Sequence, residues 1–284
     1  MKLRKAIEKA KKERGEIRPL VQEQDANSLD KTIKLPVQPK PVTAEWIAPE
    51  YNESKSVKVD SAKAADNKCV AIFPDAAEID YYKVLRTQIQ QRAQANGWKT
   101  VMITSANSGE GKTTTSINLA ATMAKEFNQT VLLVDNDLRH QSIHNYLGIS
   151  SNLGLIDYLE KNKHLSDLII WPGIEKLTII SGGREVVDST ELVSSPRMKE
   201  LVAEMKARYD DRYIIFDVPP LLGCADAAAF APMVDCILMV VEEGRTSIED
   251  VKKAVELIPK EKFLGYVLNR RKTATSKYKN YYSG

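Results

Sequence analysis

The run Ala106-Asn107-Ser108-Gly109-Glu110-Gly111-Lys112-Thr113 places two glycines, a lysine and a hydroxyl at the spacing of a phosphate-binding loop, with alanine in place of the usual first glycine. Gly109 and Gly111 let the backbone curl so that N–H groups from Ser108, Gly109, Glu110 and Gly111 point inward at phosphate oxygens. Lys112 then reaches the β- and γ-phosphates, the Thr113 hydroxyl ligates magnesium, and Thr114 contacts the α-phosphate region. Two further apolar runs end in acids. Val131-Leu132-Leu133-Val134 leads into Asp135 and Asp137, and Tyr213-Ile214-Ile215-Phe216 leads into Asp217. Such acids either cap turns and helices or hold a cation, and a magnesium ion beside a triphosphate supplies that cation. The chemistry implied is ATP binding with magnesium, followed by phosphoryl transfer or hydrolysis.

The elements that must position these residues alternate along the chain. Helices are predicted over 78–95, 112–125, 154–161, 196–208 and 246–258, and strands over 100–104, 131–135, 177–180, 213–217, 236–241 and 263–268. Strands this short and continuously apolar suit a sheet buried on both faces. The pattern predicts an α/β domain with a doubly wound, mostly parallel sheet, occupying residues 78–270. In such sheets ligands bind at the carboxyl ends of the strands, where all the candidate residues fall.

Outside that domain the chain changes character. Residues 1–15 read as a basic amphipathic helix with Leu3, Ile7 and Ala10 on one face, and 16–77 as a proline-containing linker. Residues 271–284 form a basic tail containing Tyr278, Tyr281 and Tyr282. Residues 1–20 carry eight Lys or Arg against three Glu, yet the whole chain of 284 residues has a net charge of only +3, which argues against nucleic acid as the main partner. No apolar run approaches the roughly 20 residues needed to span a bilayer, and no secretory signal is visible, so the chain is expected to be cytoplasmic. Cys69, Cys224 and Cys236 lack zinc-like spacing and are expected to be free thiols.

Segments 105–115, 131–139 and 213–220 resemble, in order, the Walker A, A′ and B segments of the bacterial tyrosine kinases of capsular and exopolysaccharide biosynthesis. The resemblance runs from about residue 79 to 269. Segment 211–222 looks most like the autokinases associated with exosortase and exopolysaccharide loci. It implies an ATP- and magnesium-dependent autokinase regulating polysaccharide synthesis or export, with Tyr278, Tyr281 and Tyr282 as phosphoacceptors. Asp137 and Asp217 would hold magnesium with Thr113, Asp135 would accept the tyrosine proton, and Lys112 would stabilise the transferring phosphoryl group. Asn269, after the last strand, would read the adenine or cap the strand. Family members form ring-like homo-oligomers through a Glu/Arg/Arg helix motif. The matching residues here are Asp80, Lys83 and Arg86, and Lys83 lacks the planar fork of arginine. A membrane chain-length or co-polymerase protein would be the activator, bringing the kinase indirectly to the inner face of the membrane. Two other readings fit the same loop: a partitioning or positioning ATPase that binds DNA or membrane, and a non-catalytic nucleotide switch. The partitioning ATPases carry a second lysine early in the loop, where this chain has Asn107.

Overall fold

The structure, a computed structural model, describes residues 55–73, 76 and 78–271. The strands are β1 (Lys55–Ser56), β2 (Thr100–Ser105), β3 (Thr130–Asp135), β4 (Ile170–Trp171), β5 (Leu177–Ile180), β6 (Arg212–Asp217), β7 (Cys236–Glu242) and β8 (Phe263–Asn269). The α-helices are α1 (Ser61–Asp66), α2 (Ile79–Asn96), α3 (Lys112–Ala124), α4 (Ile143–Leu147), α5 (Leu155–Lys161), α6 (Leu165–Leu168), α7 (Ser189–Ser194), α8 (Pro196–Arg208), α9 (Asp226–Phe230) and α10 (Ile248–Glu256).

The strands form one sheet in the order β1-β4-β5-β3-β6-β2-β7-β8. Every neighbouring pair is parallel except β4 with β5. Side chains of the central strands alternate between two apolar layers. Leu132, Val134, Ile214 and Phe216 enter one layer with residues of α5, α8, α9 and α10. Val131, Leu133 and Ile215 enter the other with residues of α2 and α3. Both faces are covered by helices, as the continuously apolar strands predict. The three central neighbours β3, β6 and β2 are also the three strands whose carboxyl ends carry the candidate residues. Register places Asp217 opposite both Asp135 and Ile103.

Structure begins earlier than the composition suggests. Within the stretch read as linker, Lys55 and Ser56 pair with β4, and Asp60 caps α1 by accepting from Ala62 N and Lys63 N. Ala64, Cys69 and Ala71 are fully buried. Asn118 of α3 staples this segment, accepting from Ala71 N (2.8 Å) and donating to Lys68 O (2.9 Å). Small residues bury completely without a strong periodic signal, which is why the pattern did not reveal them. The segment predicted as an N-terminal helix, most of the stretch read as linker and the tyrosine cluster lie outside the described residues. The three cysteines are free.

Candidate active site

The loop between β2 and α3 owes its shape to two left-handed glycines, Gly109 (φ +82°) and Gly111 (φ +93°). Gly111 is the N-cap of α3, so the loop feeds directly into a helix N-terminus. The loop is braced from outside. Glu110, buried at 1% exposure, accepts from Asn107 N (3.1 Å) and from Thr246 Oγ1 (2.6 Å). Asn269 donates to Glu110 O (2.8 Å), and Asn107 donates to Asp250 (3.2 Å). Arg245 donates to Ser108 O (3.4 Å). Asn269 therefore packs against the loop itself, and its amide nitrogen leaves no room for a side chain at Gly111: a Cβ there would stand 2.0 Å from it.

Inside the loop the charged residues converge. Lys112 Nζ lies 2.9 Å from Asp137 Oδ2 and 3.5 Å from Asp217 Oδ2. Thr113 Oγ1 donates to Asp217 Oδ2 (2.7 Å), and Ser116 Oγ donates to Asp217 Oδ1 (3.0 Å). Ser116 has no place in the phosphate-loop pattern, but it stands three residues beyond Thr113 on α3, so helical spacing brings it to the same carboxylate. Asp135 Oδ2 accepts from Ser142 N and Ile143 N, each at 3.0 Å, and Oδ1 accepts from Asp137 N (3.3 Å). Asp137 Oδ1 accepts from His140 N (3.0 Å). The two acids at the end of β3 thus organise the turn that follows it as well as facing the loop.

Electrostatics follow from three buried carboxylates around one ammonium. Burial and the charge of Asp217 push Asp135 up to about 7, against the opposing backbone N–H of Ile143 and the charge of Lys112. Burial also raises Asp217, outweighing Lys112 and Thr113. Burial works to lower the Lys112 value, but Asp217, Asp137 and Asp135 together hold it above the ordinary lysine range. The cluster is short of positive charge.

That shortage fits a divalent cation. Among the described residues no group of three or more His, Cys, Asp or Glu is arranged to hold a metal ion. Magnesium in phosphoryl-transfer sites uses one or two carboxylates plus phosphate oxygens and waters, so a complete protein cage is not required. Thr113, Asp137 and Asp217, which converge on Lys112 and on one another, could supply the protein share.

The remaining predicted residues fall elsewhere. Thr114 Oγ1 donates to Asn67 O (3.3 Å), tying α3 to the early segment. On α2, Asp80 and Lys83 pair with each other at 2.8 Å on the surface. Arg86 turns inward, donating to Thr122 O (3.1 Å) and pairing with Glu126. Among the described residues no helix is long and apolar enough to cross a membrane.

Comparison with known proteins agrees with this geometry. The AAA domain family model matches residues 98–263. The tyrosine-protein kinase YwqD of Bacillus subtilis is 35% identical over 211 residues, covering 74% of this chain and 88% of that one. The kinase domain of the Escherichia coli tyrosine kinase ETK superposes with a TM-score of 0.66 at 29% identity, over 72% of this chain and 82% of that one. The septum site-determining protein MinD of Pyrococcus horikoshii, solved with Mg-ADP, superposes with a TM-score of 0.51 at 26% identity, over 61% and 71% of the two chains. Strand order, loop, carboxylates and sequence likeness together place the chain in the family of bacterial tyrosine-protein kinases, nucleotide-binding enzymes of the P-loop class.

Proposed function

We propose that this kinase transfers the γ-phosphate of ATP to its own tail tyrosines Tyr278, Tyr281 and Tyr282, and so regulates exopolysaccharide or capsule synthesis. The observation that carries the reading is the cluster of Lys112, Thr113, Asp137 and Asp217 at the mouth of the glycine loop. Lys112 exchanges its carboxylate partners for the β- and γ-phosphates, while the backbone of Ser108 to Gly111 and the α3 N-terminus hold the remaining phosphate oxygens. Thr113, Asp137 and Asp217 would hold magnesium, which would neutralise charge on the phosphate oxygens. Asp135, whose carboxyl is raised toward neutrality, takes the proton of the tyrosine hydroxyl, a group whose reference pKa is about 10. Positioning and charge stabilisation account for most of the rate.

The tail of one subunit serves a neighbour in a homo-oligomer. The exposed face of α2 supports this, since Tyr81 and Val84 stand in solvent beside the Asp80–Lys83 pair, with Arg86 fixing the helix to α3. A membrane chain-length or co-polymerase protein is the activator and recruits the kinase to the cytoplasmic side of the membrane. Phosphates added to the basic tail reverse its charge and loosen the assembly.

The test is incubation of the full chain with ATP and magnesium, followed by mass spectrometry of the tail. Phosphotyrosine at one or more of the three positions is expected. ATP hydrolysis with no phosphotyrosine would favour a positioning ATPase and end the autokinase reading.

A further inference from the structure

Beside the loop lies a second polar cluster that the phosphate-site residues do not explain. Asp226, at the start of α9, is fully buried. Its Oδ2 accepts from Ser189 Oγ and its Oδ1 from Thr190 Oγ1, both on α7. Hydroxyls are neutral donors. Among the described residues the one cation paired with Asp226 is Arg139, whose Nε lies 3.4 Å from Asp226 Oδ2 and donates to Ser189 Oγ at 3.0 Å. Asp226 therefore joins segments that follow three different strands: β3 through Arg139, β5 through Ser189 and Thr190, and β6 through itself.

Arg139 stands two residues beyond Asp137, which holds Lys112. The thiol of Cys224 lies within electrostatic reach of Asp226, Arg139 and Asp137 alike, so the brace and the phosphate site are neighbours. Among the described residues, the hydrogen bonds of the Arg139 side chain are made by Nε. Among the described residues Nη1 and Nη2 donate no hydrogen bond, and the side chain is 34% exposed. A guanidinium held by its Nε edge keeps its two-pronged end fixed, a shape that matches phosphoryl oxygens. Both oxygens of Asp226 are supplied with donors, so removing the carboxylate would leave Arg139 and the two hydroxyls without their shared acceptor.

We infer that Asp226, with Ser189, is a positioning residue that holds the free end of Arg139 toward the phosphoryl group in flight. The inference rests on the phosphotransfer reading above, and its closing experiment separates the two. Asp226 touches no reacting atom; Arg139 supplies the contact, strongest when charge spreads over the transferring group.

The experiment compares the wild-type full chain with Asp226→Asn and Ser189→Ala. Affinities are measured for magnesium-ADP alone and for magnesium-ADP with aluminium fluoride, a mimic of the transferring phosphoryl group. Wild type is expected to bind the mimic complex more tightly than ADP. Both variants should bind ADP within twofold of wild type and lose at least tenfold in affinity for the mimic complex. In an Arg139→Gln background, Asp226→Asn should add no further loss and should recover thermal stability, because the buried carboxylate no longer lacks its cation. Ser189→Ala keeps the test open if Asp226→Asn folds poorly. Equal loss of ADP and mimic binding, or undiminished mimic binding in a folded variant, would overturn the inference. Phosphotyrosine is scored on the same samples. Its absence from wild type, with selective loss of mimic binding in the variants, would refute the autokinase reading and leave the brace standing. Its presence with unchanged mimic binding would do the reverse.

Discussion

Replacing Lys112 by Met keeps the aliphatic stem and removes the charge, so it isolates what the ammonium does for the three carboxylates. Lys112 is mostly buried, 2.9 Å from Asp137 and 3.5 Å from Asp217, and these partners are themselves almost fully enclosed. Removing one member of a buried ion pair costs about 3–5 kcal/mol. The site has a way to limit that cost, which is to protonate one more carboxyl. An aspartate with an ordinary pKa of about 3.9 costs roughly 5 kcal/mol to hold protonated at pH 7.5 and roughly 2 kcal/mol at pH 5.5, at about 1.4 kcal/mol per unit. The sign is clear: without the ammonium Asp217 and Asp135 are raised further, the folded state binds more protons than the unfolded state, and the deficit shrinks as pH falls. The ligand-free variant should therefore lose about 4 kcal/mol at pH 7.5 and about 2 kcal/mol at pH 5.5. For a domain of this size that is a Tm drop of about 8–16 °C at the higher pH and about half as much at the lower. Thermal melts followed by circular dichroism at both pH values measure it. A loss below about 1 kcal/mol, or an equal loss at both pH values, refutes the picture of one cation serving several buried acids.

Two other variants probe neighbouring parts of the site. Gly111→Ala puts a Cβ 2.0 Å from Asn269 Nδ2 at a φ of +93°, so the Asn269 amide must leave Glu110 O or the loop must shift; at least a tenfold loss of nucleotide affinity is expected by titration calorimetry, and a loss of about 1–3 kcal/mol in stability. Asp135 has a folded-state value of about 7 against its ordinary 3.8. Its protonation therefore stabilises the fold, fully below about pH 4, and that contribution fades as pH rises through 7. The Tm of the ligand-free wild type should fall between pH 5 and 8, and Asp135→Asn, which cannot titrate, should flatten that fall.

Much of the site was legible because its signals are local. A curled glycine run between a strand and a helix, and acids directly after apolar strands, are each visible in a few consecutive residues. The strand order β3-β6-β2 then brings them together, as a doubly wound sheet requires. What stayed hidden depends on long-range pairing. Nothing near Asp226 in its alanine-rich segment signals that it meets Ser189 and Arg139. Thr246 and Asp250 look like parts of an exposed helix start, and only the fold brings them to Glu110 and Asn107. The segment from 55 to 73 was missed because it buries Ala64, Cys69 and Ala71, residues too small to mark a core face. Short helices such as α4, α6, α7 and α9 fall below the length at which an apolar period can be recognised.

Titration calorimetry of ATP with and without magnesium addresses the central claim most directly, namely that Lys112, Thr113 and the buried aspartates form one triphosphate–metal site. Wild type should bind ATP at least tenfold more tightly with magnesium present, and Thr113→Val and Asp217→Asn should each abolish that gain while leaving the fold intact. ATP binding that ignores magnesium in the wild type, or a magnesium gain that survives in both variants, would contradict the account.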